Sequence, residues 1–282
     1  MPAPRLIAAT LALTTAASAA ATITDLSAWD FYRDPDPGPG ALQDAMTGSA
    51  AVNLAQLNFL NDVDIPAAYD IGYSSVDANT VDSAVAGYYF DASQDFSVSL
   101  EFAVTLTSPD GVIGLGLGVG EDRAGVNSAG IGFGLVTAFN STAAAFQGAA
   151  TNNDVAVRRD LDAVVTPFVS GSTYSGTLTV GYDASTGDIS VGASGDGSSS
   201  STSFSRASDL TSWAGDDLLV SFFLRSDSIS SPIPVGPWSG ESAEADFLNF
   251  TVVQGSASVV PEPSSIALLG VGGLAMIRRR RS

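Results

Sequence analysis

The stretch DFSVSLEFAVTLT, residues 95–107, alternates without a fault. Phe96, Val98, Leu100, Phe102, Val104 and Leu106 share one face, and Ser97, Ser99, Glu101, Ala103, Thr105 and Thr107 share the other. A pleated strand sends successive side chains to opposite faces, so period two over a dozen residues defines a strand with one dry and one wet side. A helix would scatter the same six apolar residues around its circumference. The chain is therefore built around a sheet, one face of which needs a second layer to cover it.

Further strands are predicted at residues 112–119, 131–136, 177–182, 189–193, 218–224 and 248–253. Between two of them, DASTGD at 183–188 offers the Asp and Gly of a hairpin loop. The Gly/Ser-rich segment 192–203 reads as a loop. Only 41–46 and 207–213 suggest helix, and both are short. Short strands, Gly-rich turns and almost no helix predict an all-β fold, an antiparallel β-sandwich or jelly roll.

Composition closes much of the enzymatic repertoire. The chain has no Cys and no His, and all 11 basic residues are Arg. There are no disulfides, no thiolate or imidazole metal sites, no Ser-His-Asp triad and no Schiff-base or P-loop lysine. Between residues 22 and 260, 25 Asp and 4 Glu face 6 Arg, a formal charge of −23. Such a surface repels nucleic acid and anionic membranes, so no nucleic-acid partner is expected.

The two ends read as targeting segments. Residues 1–21 carry Arg5, an apolar stretch and ASAAA at 17–21, the pattern of a secretory signal peptide engaging the Sec machinery and cut after Ala19 or Ala21. At the other end, residues 264–277 hold 14 uncharged residues before Arg278, Arg279, Arg280 and Arg281. As a helix that run spans roughly 21 Å against a hydrocarbon core of about 30 Å, a short transmembrane helix suited to a temporary anchor. The arginines hold its end in the cytoplasm, which directs the domain outward. The organisation is thus a signal peptide at 1–21, a sandwich domain at 22–258 with a loop-rich start to about 66, and a terminal signal at 259–282.

Pro261-Glu262-Pro263, the apolar run and the arginine cluster, in that order, resemble the PEP-CTERM sorting signal of Gram-negative bacteria. The resemblance implies recognition by an exosortase, a membrane cysteine protease cutting near Pro261-Glu262-Pro263, and a route to the cell surface or matrix alongside exopolysaccharide. The later strand blocks, from the GxGxG-like strand through YDASTGDISV and LLVSFFLRS to ADFLNFTV, resemble concanavalin A-like sandwiches of the laminin-G and legume-lectin type.

Three internal segments are candidate sites. In VIGLGLGVGEDRAGVNSAGIGFG, 112–134, Gly114, Gly116 and Gly118 leave one strand face bare, which marks close approach of backbone, an aromatic ring or a ligand. The following loop gathers Glu121, Asp122, Asn127 and Ser128, oxygens of the kind calcium prefers, and calcium is the one cofactor the sequence suggests. GESAEADF at 240–247 offers Glu241, Glu244 and Asp246, of which Glu244 and Asp246 share a face. The order differs from the Glu-x-Asp-x-x-Glu of laminarinase-type glycosidases that share the concanavalin A-like fold. Trp238, in the loop SPIPVGPWSG, is the candidate sugar-stacking ring, with Trp29, Trp213, Tyr32, Tyr88 and Tyr89 behind it. The expectation is a non-enzymatic exported protein that binds or organises exopolysaccharide. A glycoside hydrolase or lyase working with Asp and Glu alone, and a purely structural matrix protein, are the rivals.

Overall fold

The computed structural model describes residues 21–23, 25–27, 29–34, 41–57, 69–107, 112–123, 127–138, 141–165, 169, 171–195, 198–213, 217–227, 242–254 and 257–260. Among these, the early strands are β1 (Ala21–Ile23), β2 (Asp30–Asp34), β3 (Ala41–Gly48), β4 (Ala51–Leu57), β5 (Tyr69–Ser74) and β6 (Gly87–Asp91). The middle of the chain forms β7 (Phe96–Thr107), β8 (Val112–Gly120), β9 (Asn127–Ala138), β10 (Ser141–Asn152) and β11 (Val155–Val165). The last third adds β12 (Thr173–Asp183), β13 (Asp188–Gly195), β14 (Ser198–Phe204), β15 (Asp217–Asp227), β16 (Ser242–Gln254) and β17 (Ala257–Val260).

The strands pair antiparallel into two sheets. The first runs β14-β13-β12-β7-β16-β4-β3, with β1 also on β16; the second runs β11-β10-β9-β8-β15-β5-β2, with β6 on β15 and β17 on β6. The predicted all-β antiparallel sandwich is what forms. Strand β7 lies mid-sheet, and its apolar face is the core: Phe96, Val98, Leu100, Phe102 and Val104 are all buried. Across the interface stand Leu115, Leu117 and Val119 of β8, Ile131 and Phe133 of β9, and Val220, Phe222 and Leu224 of β15. Rings bridge the two layers, with Phe102 stacked on Phe133 at 5.4 Å and Phe222 tilted on Phe247 at 4.9 Å. Such pairs contribute roughly 0.5–1.5 kcal/mol each beyond the area they bury.

Several expectations are corrected. The loop-rich start before residue 66 contains β1 to β4. Residues 41–46 are strand, because β3 completes the backbone hydrogen bonds of β4 in register from Ala41↔Leu57 to Met46↔Val52. Residues 207–213 form turns: Asp209 and Leu210 donate to Ser205 O while Asp209 Oδ2 accepts the Ser205 N–H, closing one turn that does not propagate. The Gly/Ser-rich 192–203 is a hairpin, β13 and β14 pairing from Ile189↔Phe204 to Gly195↔Ser198. The hairpin loop at 183–188 forms as expected, closed by Asp183↔Asp188, with Gly187 at φ 73°. The proposed helix at 264–277 lies outside the described residues.

Candidate functional site

The wet face of β7 is the middle of a surface covered by short hydroxyl side chains. Strand register aligns Ser203, Ser190, Gly181 and Ser97 in one outward row and Ser201, Gly192, Thr179 and Ser99 in the next. The third row is Ser199, Ser194, Thr177, Glu101 and Leu248, and the fourth places Ser175, Ala103, Asp246 and Asn53 side by side. Thr105 and Thr173 share a hydroxyl hydrogen bond of 2.8 Å across two strands. Glu101, Ser175, Thr177, Ser194, Ser199 and Leu248 line an open depression of about 630 Å³ on this face.

A bulge completes the depression. Opposite Glu101 and Ser99 of β7, strand β16 advances from Leu248 to Thr251, one residue more than its partner. Asn249 takes the left-handed conformation at φ 49°, which Asn tolerates better than most residues. The extra residue shifts the register by one, so that Phe247 faces the core opposite Phe102 and Val252, five residues on, takes the place opposite Val98 that Thr251 would otherwise hold. It also aims the Asn249 amide at Glu101: Nδ2 donates to Glu101 Oε2 at 2.7 Å. Beside this pair Leu248 stays 37% exposed. One row away, Asn53 Nδ2 donates to Asp246 Oδ1 at 2.7 Å. The depression therefore joins one carboxylate, Glu101, a set of hydroxyls and one aliphatic side chain, with the Asn249 amide bonded to Glu101 and the Asp246–Asn53 pair one row outside the lining.

The glycine strip lies on the outer face of the other sheet. Strands β8 and β9 pair Gly114↔Gly134, Gly116↔Gly132 and Gly118↔Gly130, so both contribute bare outward positions. An aromatic ring fills part of the space: a Cβ on Gly116 would sit 2.5 Å from Phe223 Cζ. Further along this face Arg123 stacks over Tyr32, 4.6 Å from the ring centroid, and pairs with Asp30 at 3.2 Å. Burial raises the Asp30 carboxyl above the usual carboxylate range against the opposing pull of Arg123.

The structure brings Glu121, Asp122 and Asn127 together at one end of this sheet. Their oxygens accept N–H groups from within the cluster: Asn127 Nδ2 to Glu121 Oε2 at 3.0 Å and the Asn127 backbone N–H to Asp122 Oδ2 at 2.7 Å. Asn127 Oδ1 in turn accepts the Asn153 N–H at 2.8 Å and the Ser212 hydroxyl at 3.1 Å. The cluster ties three loops together. Among the described residues no group of three or more Asp or Glu could hold a metal ion.

Trp29 and Trp213 are 6% and 7% exposed core residues, Tyr32 is buried under Arg123, and Tyr88 and Tyr89 are half-buried. Trp238, Glu241, Pro261, Glu262, Pro263 and Arg278 to Arg281 lie outside the described residues, and of Glu244 only the backbone, in β16, is described. Glu101 and Asn249 escaped selection from the sequence. Glu101 could have been found as the one charge on the wet face of β7; nothing marks the bulge at Asn249.

By architecture the molecule is an antiparallel two-sheet sandwich with a hydroxyl-lined outer face. Residues 259–281 match the PEP-CTERM protein-sorting motif, so the chain carries an export and membrane-anchoring signal of the kind that exosortases process. Among the described residues no helix is long and apolar enough to cross a membrane. No curated protein matches the chain in sequence. Among solved structures, lectin II from Ulex europaeus aligns at 13% identity over 85% of this chain and 99% of that one, with a TM-score of 0.44. Lectin I from the same plant, in complex with the methyl glycoside of α-L-fucose, aligns at 12% over 83% and 97%, TM-score 0.44. The PL-14 alginate lyase of Aplysia kurodai aligns at 12% over 75% and 86%, TM-score 0.41.

Proposed function

We propose that the chain is an exosortase-processed protein of the cell surface or extracellular matrix that binds polysaccharide on the outer face of the first sheet. The observation that carries this reading is the depression around Glu101 and Asn249. A sugar offers many hydroxyls that both donate and accept, and a carboxylate, a primary amide and serine or threonine hydroxyls supply matching partners. Short side chains keep the floor open, and Leu248 offers an aliphatic surface for the C–H face of a ring. The sorting motif supports the location, because it delivers the domain to the outer surface where polysaccharide is found. Co-sedimentation with exopolysaccharide from the producing cells tests the reading. Wild type should pellet with the polymer and Glu101→Ala should lose at least tenfold in affinity; no binding by wild type would overturn it.

One observation favours a second reading. Glu101 and Asp246 are diagonal neighbours on β7 and β16, a relation that sets backbones on the order of 7–8 Å apart. Inverting glycosidases hold their two carboxyls at about 6.5–9.5 Å. Binding is preferred because each carboxylate already accepts an amide N–H from a neighbouring Asn. Release of reducing ends from polysaccharide, lost in Asp246→Asn, would establish hydrolysis instead.

A further inference from the structure

The sorting signal emerges from the fold without a spacer. Strand β17 ends at Val260, and the matched motif begins at residue 259, so its first two residues are already paired within the domain. The register is Ala257↔Phe90, Ser258↔Tyr89, Val259↔Tyr88 and Val260↔Gly87. Pro261 follows in the sequence and, with no N–H, cannot donate to a ladder. The two partners are unequally anchored. Strand β6 is fixed by Phe90, which is fully buried against Phe96, by pairing to β15, and by the Tyr88 N–H donated to Ser75 O. Among the described residues, strand β17 pairs with β6 alone.

A protease grips its substrate extended, with backbone groups free to bond the walls of its cleft. While β17 is docked, those groups upstream of Pro261 belong to β6. Residues 261–263 span at most about 11 Å, which would press a strongly acidic domain against a membrane-embedded active site. Freed back to Gln254, residues 255–263 span about 30 Å. We propose that β17 is a strap that must peel from β6 before the sorting protease can cut beside Pro261-Glu262-Pro263, so that the folded domain limits the rate of its own processing. The inference rests on the exosortase reading above.

The chain has no Cys, so an engineered pair is unambiguous. Tyr89→Cys with Ser258→Cys places two thiols at directly opposed positions, within the reach of a disulfide, in a compartment that oxidises them. The test follows the full-length precursor by its size in cells containing an exosortase. The locked double variant should be processed at least tenfold more slowly than either single variant, and a reductant should restore it. Ser258→Pro, which removes an N–H from the strap, should be processed as fast as wild type or faster. Wild-type rates in the verified disulfide form would overturn the strap. A wild-type precursor that is never cut would instead overturn the exosortase reading on which it rests.

Discussion

Substituting Gly116 by Ala tests what fills the bare face of β8. The added Cβ would lie 2.5 Å from Phe223 Cζ and 3.0–3.1 Å from Cε1 and Cε2, closer than carbon atoms approach. Overpacking costs about 1–3 kcal/mol, and the lower half applies because a half-buried ring on an outward face can swing aside. For a domain of this size each kcal/mol moves Tm by about 2–4 °C, so thermal unfolding followed by circular dichroism should show a fall of about 2–8 °C. In the Phe223→Ala background the same substitution should cost nothing measurable, leaving a coupling of about 1 kcal/mol or more in the double-mutant cycle. Gly130→Ala should cost more than Gly116→Ala, since its Cβ would meet Gly118 Cα at 2.8 Å and backbone cannot swing away. Gly118→Ala, whose nearest contact is Ala129 O at 3.3 Å, should cost less than either. An equal penalty for Gly116→Ala with and without the Phe223 ring would refute the packing account and return the strip to the list of ligand surfaces.

Arg123→Ala should lower stability by about 2–3 kcal/mol, read by urea denaturation, because it removes the Asp30 ion pair and the Tyr32 stack from a side chain only 11% exposed. Asp91 is held below the usual carboxylate range by the Ser93 hydroxyl and then its backbone N–H, so its contribution is present above the unfolded value near 3.8 and disappears as pH falls through the lower folded value. Asp91→Asn should therefore flatten the loss of Tm below about pH 4 without changing its slope at neutral pH. Millimolar calcium should leave Tm unchanged, since Glu121 Oε2, Asp122 Oδ2 and Asn127 Oδ1 are each engaged by an N–H donor. A calcium-dependent rise abolished by Asp122→Asn would instead establish an ion site there.

The parts of the fold legible in the sequence were those where one face is dry. Strand β7 announced itself because Phe96, Val98, Leu100, Phe102 and Val104 are all buried in the core, and the glycine strip because β8 alternates Gly with Leu and Val. Strand β14 was hidden: Ser199, Ser201 and Ser203 face outward, and of its inward positions only Phe204 is large, so no apolar period survives in SSSSTSF. Strand β3 was hidden by its helix-forming Ala, Leu, Gln and Met, a preference overridden by pairing with β4. The site was half legible. Glu101 stands out once the wet face of β7 is read as a surface, whereas the bulge at Asn249 depends on a register set by contacts 148 residues away in sequence.

Which face carries the ligand is the central claim, and a bulky charge on each face measures it. Thr177→Arg fills the depression beside Glu101, while Gln147→Arg changes an exposed position on the outer face of the other sheet, opposite Gly132. Affinity for exopolysaccharide, measured by titration calorimetry on folded protein, should fall at least tenfold for Thr177→Arg and stay at the wild-type value for Gln147→Arg. Unchanged binding by Thr177→Arg, with the loss appearing in Gln147→Arg, would contradict the account.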